Sequence, residues 1–313
     1  MRVTHGTIKP QGGATGLHCA LTIGNFDGVH RGHRAMLERL VAKARELKLP
    51  CTVLTFEPHP REFFSPATAP TRLTRLREKL ELIAAAGVNH AHVLRFGARL
   101  AALQAERFVE DVLVRGLAMR WLLVGRDFRF GAKRMGDFSL LESITARRGI
   151  GLEAMGDVTD AGARISSSGV RAALAAGDLA GAARLLGRDY SMSGRVAHGE
   201  KLGRQLGFPT ANIVLRRRPA LAGIFAVRVE IEETQAVLRG VASVGRRPTL
   251  REHAAPLLEV HLFDWDGELY GRHLRVTFLQ KLRDEEKYDG LDALRAAIGR
   301  DAAHAKDYFR KHG

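Results

Sequence analysis

Five short apolar runs alternate with helix-patterned stretches from residue 19 to about 156, and this alternation constrains the fold more than any other feature of the chain. The runs are 19–23, 51–56, 91–96, 121–125 and 150–155. Between the first two, Met36, Leu37, Leu40, Val41, Ala44 and Leu47 recur with the 3.6-residue period of an amphipathic helix. Residues 73–86 and 105–114 repeat that pattern. Successive strands joined through helices lie parallel, because the crossovers are right-handed and pack back onto the sheet. The expected N-terminal domain is therefore α/β, a parallel sheet with helices on both faces. An Ala-rich helical stretch, 166–186, is broken at Gly177-Asp178 and ends near Gly187, which places the boundary between domains 1–187 and 188–313.

Beyond residue 187 the rhythm changes. Runs 193–197, 211–215, 224–232, 239–244, 257–263 and 274–282 are β-rich, separated by Gly and Pro and uninterrupted by a long helix. Short strands at that spacing predict a mainly-β antiparallel barrel. Leu294, Ile298, Ala302, Ala305 and Phe309 lie on one face of a terminal helix over 291–309 that would pack on the barrel.

Of the 313 residues, 45% are hydrophobic, enough for two cores, and the formal net charge is +15. Such charge suits nucleic acid, an anionic membrane or phosphorylated small molecules. It is scattered along the chain, so an Arg-rich compositional bias explains it equally well. Aromatic residues are only 6% and no nucleic-acid-binding module is present, which argues against a nucleic-acid partner. Cys19 and Cys51 sit in apolar runs and read as buried thiols rather than a disulfide framework. No signal peptide and no apolar stretch of ~18 residues is seen, so a cytoplasmic protein without a membrane partner is expected; self-association stays open.

Two segments carry chemistry. The first, Gly24-Asn25-Phe26-Asp27-Gly28-Val29-His30-Arg31-Gly32-His33, joins the first strand to the first helix. Unpaired N–H groups and the positive dipole end favour an anion at a helix start, and Gly28 and Gly32 allow close approach. Imidazoles of His30 and His33 would donate to phosphate oxygens during attack on an α-phosphate; a helix-capping role is the plain alternative. The second, His198-Gly199-Glu200-Lys201-Leu202-Gly203-Arg204-Gln205-Leu206-Gly207-Phe208-Pro209-Thr210-Ala211-Asn212, is Gly-rich and basic, then polar. Gly199, Lys201 and Gly203 suit phosphates, and Thr210 and Asn212 offer two hard oxygens for Mg²⁺. A hairpin turn is the alternative there.

The first segment resembles the nucleotidyltransferases marked by His-x-Gly-His. With Asn25-Phe26-Asp27-Gly28 before it, the chain resembles the bacterial bifunctional riboflavin kinase and FAD synthetase family. Thr55-Phe56-Glu57-Pro58-His59-Pro60, Val124-Gly125-Arg126-Asp127-Phe128-Arg129-Phe130-Gly131 and Ile165-Ser166-Ser167-Ser168-Gly169-Val170-Arg171 follow that family's pattern in order. So do Gly207-Phe208-Pro209-Thr210-Ala211-Asn212, Gly223 to Val227, Gly240 to Thr249, Leu258 to Asp264 and Leu282 to Tyr288. Departures are Ser168 for Thr, Gly169 for a larger residue, Asp284 for Pro and Tyr288 for Phe.

The resemblance implies a Rossmann-like nucleotidyltransferase domain and a riboflavin kinase barrel. It implies phosphorylation of riboflavin to FMN by ATP with Mg²⁺, then adenylylation of FMN to FAD. It implies catalytic roles for His30, His33 and Glu259, the last accepting the ribityl hydroxyl proton. It also implies nucleotide and phosphate binding by Gly24, Asn25, Asp27, Gly28, Ser166, Ser167, Ser168, Arg171, Gly199, Lys201 and Gly203. Flavin contacts fall to Asp127, Phe128 and Arg283, and the metal to Thr210 and Asn212. For Ser166 and Glu259 the plain alternatives are an N-cap and a surface carboxylate. A basic nucleic-acid binder, or a kinase with a non-catalytic N-terminal domain, are the competing readings of the whole.

Overall fold

The computed structural model describes residues 1–7, 18–199, 202–215, 217–245 and 256–312, so Lys201 lies outside the described residues. Two compact units result, one of Met1–Pro70 with Leu76–Ile165, the other of Thr71–Arg75 with Ser166–Gly313.

The first unit is built on β1 (Arg2–Gly6), β2 (Cys19–Ile23), β3 (Cys51–Glu57), β4 (His90–Arg95), β5 (Met119–Gly125) and β6 (Gly151–Met155). They form one parallel sheet in the order β1-β4-β3-β2-β5-β6. All of β2 is buried, as a central strand covered on both faces requires. Ala20 faces a cluster with Leu37, Leu40 and Ala44 of α1 (Arg31–Glu46) and Ile83. Leu21 and Ile23 face the opposite cluster with Phe108, Val109, Leu113, Leu141 and Ile144. Further helices are α2 (Pro60–Phe64), α3 (Leu76–Ala85), α4 (Ala98–Ala101), α5 (Ala105–Arg107) and α6 (Phe138–Arg148). The expected helix over 105–114 widens after α5 into a π-helix, Phe108–Val114. A small hairpin, β7 (Thr159–Asp160) and β8 (Ala163–Arg164), completes the unit.

Strand β1 has no counterpart among the expected elements. It is a partly exposed edge strand, so it lacks the apolar signal that marks the buried ones. The sequential run β2-β3-β4 extends to one side of β2, while β5 lies on the other. Connections reverse direction there, and the loops following β2 and β5 flank the resulting crevice, the usual ligand site of such sheets.

The second unit contains α7 (Ser167–Ala175), α8 (Leu179–Leu186), β9 (Ser191–Arg195), α9 (Leu202–Gln205), β10 (Ala211–Val214), β11 (Gly223–Ile231), β12 (Ala236–Gly245), β13 (Leu257–Leu262), β14 (His273–Arg283) and α10 (Leu291–His312). The antiparallel sheet runs β10-β13-β12-β11-β14-β9. A bridge from Ala197 N–H to the Asn212 carbonyl, 2.7 Å, ties the end of β9 to β10 and closes the barrel. Along β11, Phe225, Val227, Val229 and Ile231 fill the interior. Ile224 and Ala226 point the other way, onto Ala302, Ala305 and Phe309 of α10. That alternation is the two-residue period of a strand buried on both faces.

The compact units part at Ile165/Ser166, ahead of the 187/188 boundary expected between the two domains. Val170 and Leu174 of α7, and Leu179, Ala182 and Leu186 of α8, are buried in one core with Phe225 and Phe278. Leu73 joins the same core, and the helix expected from 73 begins at Leu76. Both cysteines are buried and free; burial raises the Cys19 thiol to about 11 and the Cys51 thiol above its ordinary value. Among the described residues no helix is long and apolar enough to cross a membrane.

Candidate active sites

In the first unit, the chain leaves β2 into Gly24–His30 and enters α1. The Gly24 N–H donates to the Leu54 carbonyl (3.1 Å), and the Thr55 hydroxyl donates to the Asn25 carbonyl (3.2 Å), so β3 holds this loop from beneath. Backbone strain concentrates here: Phe26 has φ 49° and Val29 φ 39°, left-handed values that non-glycine side chains resist. Both side chains are almost wholly buried, and that burial offsets the strain. Gly28, at φ 83°, takes the conformation only glycine adopts freely.

His30 is the N-cap of α1, its Nδ1 accepting from the His33 N–H at 3.2 Å. The capping alternative therefore holds as geometry, and it has a chemical consequence. With Nδ1 an acceptor, a neutral His30 carries its proton on Nε2 and can donate it. The His33 ring stacks on His30, centroids 3.7 Å apart and 15° between planes. Burial, then His30 and Lys79, hold His33 well below the ordinary histidine range. A Cβ on Gly32 would lie 3.2 Å from the His30 imidazole and 3.5 Å from the Ile165 carbonyl, so glycine is what lets the ring lie close to the helix start. Asp27 is buried. Asn25 Oδ1 and His33 Nδ1 are buried and have no hydrogen-bond partner.

Asp127 and Phe128 follow β5. Asp127 is ion-paired to Arg164 at 2.8 Å, and Phe128 stacks on Phe130 with centroids 5.4 Å apart. An aromatic cluster that sequence reasoning missed lies near the C-terminal ends of β3 and β4: Phe56, Phe63, Phe64 and Phe96, with Phe64 63% exposed. Its signal was Phe63-Phe64 beside a proline-bounded turn, which local pattern alone leaves unremarkable. The serine segment belongs to the second unit, where Ser166 caps α7 by accepting from Gly169 N–H at 3.1 Å. Arg171 donates to the Thr71 carbonyl at 2.6 Å.

In the barrel, register lines up three polar residues across adjacent strands: Asn212 of β10 opposite Glu259 of β13, and Glu259 opposite Ser243 of β12. Directly paired residues project to the same face. Asn212 is 6% exposed; its Nδ2 donates to the Thr210 carbonyl at 3.4 Å, and its Oδ1 is buried without a partner. Gly199 lies against Asn212, and Gly203 against Thr210. A Cβ on Gly199 would fall 2.5 Å from Asn212 Nδ2, and one on Gly203 3.3 Å from Thr210 Oγ1.

Glu285 was not singled out from sequence. It accepts a long hydrogen bond from Ser243 (3.5 Å), and burial, with Glu259 adding to it, raises its carboxyl above the usual range. Arg283 is held by Asp301 through two hydrogen bonds, 2.8 and 2.6 Å, with its guanidinium 5.8 Å from the Tyr288 ring centroid.

Residues 14–169 match the family model described as FAD synthetase, and residues 186–309 the model described as riboflavin kinase. The Escherichia coli K12 bifunctional riboflavin kinase/FMN adenylyltransferase is 48% identical over 292 residues, covering 93% of each chain. This chain belongs to that bifunctional family. Its Pseudomonas fluorescens member is 49% identical over 289 residues, 92% of each chain. A solved structure described as a macrolide-efflux protein from Streptococcus pneumoniae superimposes with a TM-score of 0.77 at 26% identity, covering 96% of this chain and 97% of the other. Within the family, His-x-Gly-His and Gly-Phe-Pro-Thr-Ala-Asn are both present here in unbroken form.

Proposed function

We propose that the chain makes FAD from riboflavin on two sites, phosphorylating riboflavin to FMN in the barrel and adenylylating FMN in the α/β unit. One observation carries the assignment to sites. Each unit keeps a buried, unpartnered polar atom inside its signature motif: Asn25 Oδ1 and His33 Nδ1 in one, Asn212 Oδ1 in the other. Such atoms are rare in a folded chain because leaving them unsatisfied is costly, and a bound ligand supplies the partner.

In the barrel, Glu259 accepts the proton of the ribityl 5′-hydroxyl as that oxygen attacks the γ-phosphate, and ADP leaves. Gly199, Lys201 and Gly203 lie along the ATP phosphates. Thr210 and Asn212 would hold Mg²⁺; the orphaned amide oxygen of Asn212 fits a hard cation. When bound, that ion supplies neutralisation of charge on the transferring phosphate.

In the first unit, a phosphate oxygen of FMN attacks the α-phosphate of ATP and pyrophosphate leaves. No protein nucleophile is required; position and charge stabilisation suffice. His30 Nε2–H and the His33 ring are the donors facing the developing charge, with Gly24, Asn25, Asp27 and Gly28 forming the cradle at the start of α1. The exposed rings of Phe63 and Phe64, and Phe128 after β5, offer apolar surface for the isoalloxazine. Ser166, Ser167, Ser168 and Arg171, which belong to the second unit, would bind nucleotide phosphate, and Arg283 would line the flavin in the barrel. The two activities divide in the stretch where one family model ends at 169 and the next begins at 186, in keeping with a functional boundary at 187/188.

The test is chromatographic separation of products after incubating riboflavin, ATP and Mg²⁺ with the purified chain. FMN should appear first, then FAD with pyrophosphate. Absence of both flavin nucleotides would remove this reading.

A further inference from the structure

The first unit buries a lysine. Lys79 of α3 is 1% exposed and is among the largest fully buried side chains. Taking an ammonium out of water costs several kcal/mol unless its surroundings compensate, and a methionine of similar length would fill the space without that cost. The arrangement around Lys79 is directional. Its Nζ donates to Thr55 Oγ1 at 3.3 Å, and the same hydroxyl donates onward to the Asn25 carbonyl at 3.2 Å. The relay ends on the loop whose Asn25 Oδ1 is orphaned. Lys79 also acts through space on His33, disfavouring its protonation, as does His30 stacked against it. Elsewhere on α3, Arg77 and Glu81 pair with each other at 2.8 Å, and Glu78 is buried.

We propose that Lys79 is a positioning residue of the adenylyl-transfer site. Through Thr55 it fixes the Asn25 loop, and its charge supplies positive potential at the His30–His33 pair, where the nucleotide triphosphate docks. A charge buried this deeply is little screened by dissolved salt. This rests on the assignment of adenylyl transfer to the first unit.

The experiment uses the full chain with Lys79→Met and Lys79→Gln, the latter keeping an N–H donor for Thr55 without the charge. FAD formation from FMN and riboflavin phosphorylation are measured separately. Both variants should raise the KM for ATP in FAD formation about tenfold, the effect of one charge roughly 12 Å from a phosphate at an effective dielectric of ~20. The acid limb of kcat/KM should move up by about one pH unit, because the imidazoles lose a cationic neighbour. Riboflavin phosphorylation should be unchanged, and Lys79→Arg should recover most of the ATP affinity.

His33 is followed independently by NMR titration of the ligand-free chain, where it should protonate at higher pH in both variants. An unchanged ATP KM and acid limb in Lys79→Gln would overturn the proposal. So would a pH-independent loss of rate with His33 titrating as before, which marks a mere filler. If the unmodified chain forms no FAD, the functional reading fails by itself; an unmoved His33 titration would then overturn the role of Lys79 as well. Should Lys79→Met not fold, Lys79→Gln decides by the same readouts.

Discussion

Gly199→Ala tests the barrel site with a single methyl group. The new Cβ would stand 2.5 Å from Asn212 Nδ2, 2.9 Å from its Cγ and 3.3 Å from its Oδ1. Carbon contacts become comfortable only from about 3.5 Å, so the amide must retreat by roughly 1 Å. Its backbone cannot follow, because the Asn212 carbonyl is committed to Ala197 at 2.7 Å and the residue sits in register between Ala197 and Glu259. The displacement therefore falls on the side chain assigned to the metal. A 1 Å error in a positioning group costs about 100-fold in rate, whereas the overpacking costs only about 1–3 kcal/mol of stability. Riboflavin phosphorylation should fall about 100-fold at saturating ATP, while FAD formation from supplied FMN stays at the unmodified rate and the chain still melts cooperatively. Both half-reactions are read from the same preparation by chromatography. A variant that phosphorylates riboflavin at full rate would show that the segment around Gly199 yields instead of Asn212, and the tight contact would then have no catalytic meaning.

Replacing His30 and His33 together with Ala should abolish FAD formation from FMN and spare FMN formation; normal FAD yield would refute the imidazole assignment. Glu259→Gln should do the converse, with riboflavin phosphorylation lost by at least 100-fold, the usual scale of a general base, and an unaffected kinase rate would remove that role. Acid stability should depend on His90, which is buried on β4 with its Nε2 2.8 Å from Thr4 Oγ1 and is lowered by burial to about 4. A histidine kept neutral in the fold is stabilising above its unfolded pKa of about 6.5, and that contribution drains away as pH falls towards 4, up to about 3 kcal/mol in all. Urea melts between pH 7 and 4.5 should show the loss, with a flatter slope in His90→Gln; equal slopes would refute the burial argument.

Legibility followed local signal. Strands such as β2 and β5 were readable because they are buried and largely apolar, while β1 was not, because an edge strand with Arg2, Thr4 and His5 carries no such run. The compact units divide earlier than the expected boundary for a related reason: α7 and α8 look like the end of a helical domain, and only tertiary packing reveals that Val170, Leu174 and Leu186 complete the barrel core. Among the residues proposed for the sites, His30, His33, Thr210 and Asn212 stand out in the sequence because each lies in a run whose spacing is itself unusual. Glu285 and the Phe63–Phe64 pair lay inside or beside quoted segments without a spacing to distinguish them.

Lys79 shows where reading by residue type stops. Four residues before Ile83, it lies on the buried face of α3, yet a lone lysine on an amphipathic helix ordinarily extends its stem and returns its charge to water. Whether such a cation is solvated or sealed under a loop depends on what the third strand and the loop after the second place above it, namely Thr55 and Asn25. Those residues come from segments far apart in the chain, so no local window contains the cause. The same holds for the tautomer of His30: one hydrogen bond from the His33 backbone chooses which nitrogen carries the proton, and with it which atom can meet a phosphate. Motifs thus name candidate groups for the chemistry, while the atoms that set their charge and direction are fixed only by the fold.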